Sequence, residues 1–327
     1  MLKFLKAMQK RLNLPVMTYG TVLLFVFFCI ITKGRIATPA NILLILRNAS
    51  VLSLASIGMT LVILVSQVDI SIGPVMSLSG VVAAVALNSG IPLGLAIVCA
   101  LLTGMAVGLL NGVLVALFKF DYWISTFATM GICSGLALVF ANGGTVRIES
   151  AAFDWLGNGK IAGVYAMIWL TVLIIFAVIW MLRKTRFGYN IYSIGGSEVC
   201  ARLSGLNVEK NRVLVYVCSG FFAAIAGLVM SAMTCSANPI GGANYSFDAM
   251  AAVIIGGTGF SGGRGGLTGT VLGALMLRIL ANGLGCLSIP ATWQKAIIGI
   301  VIVAVLVVDA LGTKRRKLND LRRVYTK

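Results

Sequence analysis

Between Asp69 and Lys119 the chain runs for 49 residues, Ile70 to Phe118, without one charged side chain. As a single helix this run would measure about 74 Å. That is more than twice a hydrocarbon core of about 30 Å. No water-soluble helix can hide such a stretch, and one crossing of a bilayer cannot use it up. It therefore folds back on itself, and Asn88-Ser89-Gly90-Ile91-Pro92 supplies the turn residues.

Other uncharged stretches have the same character. Cutting the 327 residues at their charges gives ten expected helices, at 15–32, 46–66, 73–88, 92–117, 123–141, 163–182, 213–235, 249–260, 267–285 and 293–311. Composition agrees. Charged residues are 11% and apolar residues 59%, against about 25% and about 45–50% in soluble domains. Mean hydropathy is +1.01. The reading is an all-α, polytopic membrane protein forming one transmembrane domain. It has an N-terminal segment at 1–14, an insert at 183–212 and a tail at 312–327. The N-terminal region has the order of a secretory signal, but the 18 uncharged residues from Pro15 to Thr32 precede no small-residue cleavage site. It reads as a retained first helix.

The net charge of +17 then describes sidedness. With the N-terminus in the cytoplasm, 19 basic residues fall on inside segments and 4 on outside segments. That asymmetry is what the positive-inside rule demands, with both termini cytoplasmic. It leaves no role for nucleic acid, and the basic tail suits anionic lipid. There is no histidine, and the seven cysteines form no Cys-x-x-Cys pair. Zinc and haem sites are therefore not expected, nor is any cofactor. No nucleophile–base pair suggests an enzyme. GGTGFSGGRGG at 256–266 lacks the Gly-Lys-[Ser/Thr] ending of a phosphate loop.

The insert carries helix signals of its own from Ser197 to Leu206. Ser197 can cap, Glu198 suits a helix start and Gly205 can end the turn. A short amphipathic helix standing off a membrane is a docking surface. The alternative is a helix lying on the headgroups.

GGSEVCARLSG at 195–205 resembles the coupling motif of permeases of ABC importers, in their sugar-importing branch. The usual pattern there is Gly-Gly-x-Glu-Ala-Ala-x-Arg-Leu-x-Gly. QVDISIGPVMSLSG at 67–80, KTRFG at 184–188 and FDAMAAVIIGGTGFSGGRGGLTGTVLGAL at 247–275 resemble further segments of that family. The resemblance implies a type II importer fold. It implies a permease that moves a ribose-like monosaccharide by alternating access across a bacterial inner membrane. The implied partners are an ABC ATPase subunit, a periplasmic sugar-binding protein, and a second copy or sister permease. Gly195, Gly196, Glu198, Ala201, Arg202 and Gly205 are then the ATPase-coupling residues. A branched-chain amino-acid permease and a stand-alone secondary transporter are the competing readings.

Three departures stand out: Val199 and Cys200 in place of Ala-Ala, Ser134 where Arg is frequent, and Arg278 where an apolar residue or Gly is usual. An Arg at mid-bilayer costs about 2.5–3.5 kcal/mol on insertion scales. Arg278 should therefore face a cavity or a partner, or snorkel to an interface. Candidate pathway residues are Asp69, Ser71, Asp248, Asn282 and Gln294. Asp69 and Ser71 lie where Gly73 and Pro74 can break a helix, lining a cavity or tying broken ends together. Asp248 reads most simply as a helix cap. Asn282 and Gln294 either bind helices together or meet a sugar's hydroxyls.

Overall fold

The computed structural model describes residues 16–290 and, beyond them, 292–294, 296–301, 303 and 307. The segments 1–14 and 312–327 lie outside the described residues, as does much of the expected helix at 293–311.

The described chain is helical, with two short β-ribbons. In order it forms α1 (Val16–Ile31), α2 (Pro39–Leu64), α3 (Ile72–Asn88) and α4 (Leu93–Gly112). A π-helical turn at Val113–Leu117 prolongs α4. Then come α5 (Tyr122–Phe140), α6 (Ala151–Asn158), α7 (Ala166–Lys184), α8 (Arg186–Gly196) and α9 (Glu198–Leu203). The last three are α10 (Val208–Thr234), α11 (Tyr245–Ile255) and α12 (Leu267–Cys286). Val146–Arg147 pairs antiparallel with Ser236–Ala237, and Lys160–Ile161 with Val164–Tyr165.

Among the described residues, six helices are long and apolar enough to cross a membrane, and α3 and α11 are shorter apolar helices. Nine of the ten expected spans have a counterpart, but the count of ten is not established. Several limits move. α2 starts at Pro39 rather than 46, because a proline is favourable in a first turn and Arg47 is accommodated inside the helix. α10 starts at Val208 rather than 213, where the Asn207 side chain accepts from the Lys210 N–H. α11 lies at 245–255 rather than 249–260.

The core forms around α2 and α10. Every residue of α2 from Ala49 to Leu64 is buried, so this half of the helix meets protein on all sides. α10 packs closely on α4 because both carry glycine. A Cβ at Gly104 would sit 2.3 Å from the Gly220 carbonyl oxygen, and one at Gly220 would sit 2.0 Å from that of Gly104. Small residues at such crossings let dispersion and backbone contact replace the hydrophobic drive that lipid does not supply. Large apolar side chains on α5 and α7, such as Phe127, Ile124, Leu173 and Phe176, point outward, as suits a lipid-facing surface.

Two segments are broken within the bundle. α2 stops at Leu64, and residues 65–71 turn back inward before α3 begins. Residues 238–244 also form a non-helical stretch, buried at Pro239 and Gly242, before α11, which is only about 16 Å long. The two breaks lock together. Gly73 N–H donates to Ser246 Oγ (2.9 Å), Ser246 Oγ donates to the Ile70 carbonyl (2.6 Å), and Gly242 N–H donates to Ser77 Oγ (2.8 Å). Non-helical backbone at membrane depth survives only when protein or a cavity satisfies it, and here protein does.

Candidate functional site

At one end of the bundle α8 and α9 fold the 183–212 insert into a compact corner. α9 forms where the capping residues expect it: Ser197 Oγ accepts from the Cys200 N–H, and Gly205 adopts φ +80° beyond the helix end. α8 was not anticipated. Its Thr185 cap accepts from the Gly188 N–H, and its last turn contains the Gly195-Gly196 pair that reads as a break.

Glu198 sits at the centre of the corner. Its Oε1 accepts from Arg202 (Nη2, 2.9 Å) and its Oε2 from Arg212 on α10 (Nη2, 2.5 Å). Arg202 also reaches Glu209 at 2.6 Å. Partial burial pushes the Glu198 carboxyl up, but the hydrogen bonds and charges of Arg202 and Arg212 outweigh it. The net position is below the usual carboxylate range. Glu198 therefore clamps α9 onto α10, with its side chain still 37% exposed. Ala201 is buried against the same helices. The surface that α9 does present carries Val199 (68% exposed) and Leu203 (84% exposed). Exposed apolar side chains on such a helix suit contact with a protein or with lipid headgroups. Sequence reasoning missed Leu203, which reads as a pattern residue of the motif until its direction is known.

The glycine-rich loop 256–266 braces this corner. Gly263 N–H donates to the Leu64 carbonyl (3.0 Å), Ser66 Oγ donates to the Ser261 carbonyl (2.8 Å), and Tyr192 OH donates to the Gly265 carbonyl (3.1 Å). Gly195 is wedged in the same place, where a Cβ would stand 1.8 Å from the Leu64 oxygen. Around Gly196, by contrast, the space is open. Between the corner and the π-helical turn lies a cavity of about 470 Å³ lined by Gln67, Lys119, Glu198, Arg202 and Arg212.

Deeper in the bundle the structure brings Asp69 and Ser71 together. Asp69 is 1% exposed. Its Oδ1 accepts from Ser71 N–H (3.0 Å) and Ser71 Oγ (2.6 Å), and its Oδ2 from Ser219 Oγ on α10 (2.8 Å). Ser71 Oγ in turn accepts from Asn111 Nδ2 on α4 (2.9 Å), and Thr129 Oγ on α5 donates to Asn111 Oδ1 (2.7 Å). Asn111 is a lone amide inside an apolar run, and that signal could have found it. Ser219 gave none.

The remaining candidates lie apart. The cap position of α11 is Asn244, not Asp248. Asp248 stands one turn on and accepts from Arg278 Nη2 at 2.9 Å. The Arg278 guanidinium also lies 5.2 Å from the centre of the Tyr245 ring. Asn282 pairs reciprocally with Asn41 of α2, at 2.8 and 2.9 Å. Gln294 donates to the Ile289 carbonyl at 2.8 Å. At the opposite end of the bundle Arg47 binds the Gly157 and Met233 carbonyls and Asn158, beneath the Tyr165 ring.

The family described as "Branched-chain amino acid transport system / permease component" matches residues 41–306. The chain belongs to this permease family. The ribose import permease of Haemophilus influenzae is 40% identical over 283 residues, covering 84% of this chain and 87% of that one. That of Bacillus subtilis is 36% identical, covering 83% and 85%. The xylose transport system permease of Escherichia coli is 31% identical, covering 94% of both chains. A solved putative metal-chelate type ABC transporter aligns with a TM-score of 0.49 at 19% identity, covering 90% of this chain and 99% of that one. As a permease, the chain is a multi-pass inner-membrane transport component rather than an enzyme.

Proposed function

We propose that this permease forms the membrane pathway of an ATP-driven importer for a neutral monosaccharide. Sugar import by its relatives over nearly the whole chain supports that substrate class, and favours it over a branched-chain amino acid. ATP hydrolysis belongs to a separate ABC ATPase subunit. A periplasmic sugar-binding protein delivers the substrate, and a second copy or sister permease completes the pore. Both termini lie in the cytoplasm. A secondary transporter needs ion-coupling acids, but here Asp69 is committed to serine donors.

The observation that carries the mechanism is the clamp between Glu198 and Arg212. In this reading the ATPase seats on Val199 and Leu203. Gly195, Ala201 and Arg202 hold the docking helix in place, Gly205 ends it, and Gly196 allows close approach of the partner. Movement of α9 then passes through Glu198 and Arg212 into α10, the central helix, which also holds Asp69 through Ser219. The helices switch the pathway between its outer and inner openings. In the assembled importer, Leu203→Asp is expected to abolish co-purification of the ATPase while the permease keeps its thermal stability. Glu198→Lys should reduce radiolabelled sugar uptake at least tenfold, and adding Arg212→Glu should restore part of it. Normal uptake by Glu198→Lys, or leucine uptake in place of sugar uptake by the parent importer, would overturn this reading.

A further inference from the structure

Arg278 lies near the middle of α12, about 16 Å from its first residue and about 12 Å from its last. Its partner Asp248 stands in the first turn of α11, two residues after Ser246, which accepts from the Gly73 N–H. Arg278 is therefore halfway along a helix long and apolar enough to cross a membrane, and the pair lies beside the seam between the two broken segments. It is not sealed in the core: the Arg278 side chain is 19% exposed and that of Asp248 is 29% exposed. A charged pair turned toward hydrocarbon at this depth is strongly disfavoured. This face of α11 and α12 must therefore meet water or another protein surface.

The pair is also incompletely used. A guanidinium offers five N–H donors, and Arg278 gives one hydrogen bond, to Asp248 Oδ2. Its Nε is buried with no partner among the described residues. The other Asp248 oxygen accepts no hydrogen bond among the described residues. Leaving aside the buried Nε, what remains on one small surface is the unused Nη donors, an acceptor and the Tyr245 ring, with no net charge. A sugar hydroxyl both donates and accepts, and adjacent hydroxyls match an acceptor beside a donor fork. A carboxylate that reached Arg278 would have to compete with Asp248, and an amine that reached Asp248 would have to compete with Arg278, whereas a neutral hydroxyl can join the pair without breaking it. Asn282, one turn from Arg278, is already paired reciprocally with Asn41.

We propose that Asp248 and Arg278 form a sugar-selecting site on the translocation pathway, with Tyr245 positioning the guanidinium. The inference rests on the proposed import of a neutral monosaccharide. The test uses the complete importer, with its ATPase and binding protein, in proteoliposomes supplied with radiolabelled D-ribose, D-xylose or D-gluconate. If the parent importer carries no neutral sugar, the proposed function fails and this site falls with it. If it carries one, Arg278→Leu should lower the uptake rate at least tenfold. The exchanged pair, Arg278→Asp with Asp248→Arg, keeps the ion pair but should not recover it. Arg278→Lys, which preserves charge and fold, should change the ratio of ribose to xylose uptake at least threefold. Full recovery by the exchanged pair would show that the ion pair only holds helices together. Unchanged uptake in Arg278→Leu, or an unchanged ratio in Arg278→Lys, would overturn the proposal without touching the proposed function.

Discussion

Gly195 and Gly196 are neighbours in one motif, yet their surroundings assign them opposite sensitivities. Replacing Gly195 by Ala places a Cβ 1.8 Å from the Leu64 carbonyl oxygen and 2.4 Å from the Gly263 nitrogen. Both atoms are backbone, and they are hydrogen-bonded to each other at 3.0 Å. To reach even 3.0 Å from Leu64 oxygen the new methyl must shift by more than 1 Å, so α8 separates from the end of α2 or the Leu64–Gly263 bond opens. Overpacking of this kind costs about 1–3 kcal/mol, and the lost backbone hydrogen bond adds about 1 kcal/mol. Gly195→Ala should lower the apparent Tm of the detergent-purified permease by on the order of 5 °C. It should also displace the docking corner and weaken ATPase co-purification. Gly196→Ala has nothing within 4 Å of its new methyl and should leave Tm unchanged. Melting curves of the two variants beside the parent decide the matter. Equal losses for both would refute the packing argument, as would a neutral Gly195→Ala.

Two further outcomes follow from polar contacts. Arg47→Leu removes a guanidinium bound to the Gly157 and Met233 carbonyls and to Asn158. It should destabilise by about 2–4 kcal/mol and open residues 141–165 to limited proteolysis from the outer side; unchanged cleavage there would remove Arg47 as their anchor. The Glu198 carboxyl is held below its ordinary range, so its clamp is intact above that range and fails as pH falls through the lowered value. ATPase co-purification should then be flat from about pH 8 to about pH 5 and fall only below that. A decline that already starts near neutrality would assign the docking to another group.

Much of the fold could be read from charge spacing, because in a bilayer the position of a charge almost dictates the end of a helix. Where charges are satisfied inside, that rule misleads. Arg47 stands at the second position of the expected helix 46–66, yet the helix runs back to Pro39 and holds Arg47 in its interior. The helix Ala151–Asn158 escaped notice because it lies outside the spans, where no run of apolar residues announces it. The helix α9 was readable, since Ser197, Glu198 and Gly205 are local signals and local geometry obeys them. Direction was not readable: the motif does not say that Glu198 pairs with Arg202 and Arg212 while still partly exposed, nor that Leu203 faces outward. Asp248 and Arg278 are 30 residues apart, and only the return of α12 against α11 makes them partners. Either could be flagged alone as a costly charge, but not as half of a neutral pair.

The hydrogen bonds from Thr129 through Asn111 and Ser71 to Asp69 and Ser219 have a mechanical consequence. They join α3, α4, α5 and α10 in a place where no solvent can offer a substitute partner. Sliding any one of these helices strands a carboxylate or an amide in an apolar medium, and that penalty falls on the whole chain of contacts at once. The four helices are thereby coupled into a single rigid lever. In the proposed mechanism, a displacement applied at the Arg212 end of α10 would carry these neighbours with it rather than dissipate as slippage between them.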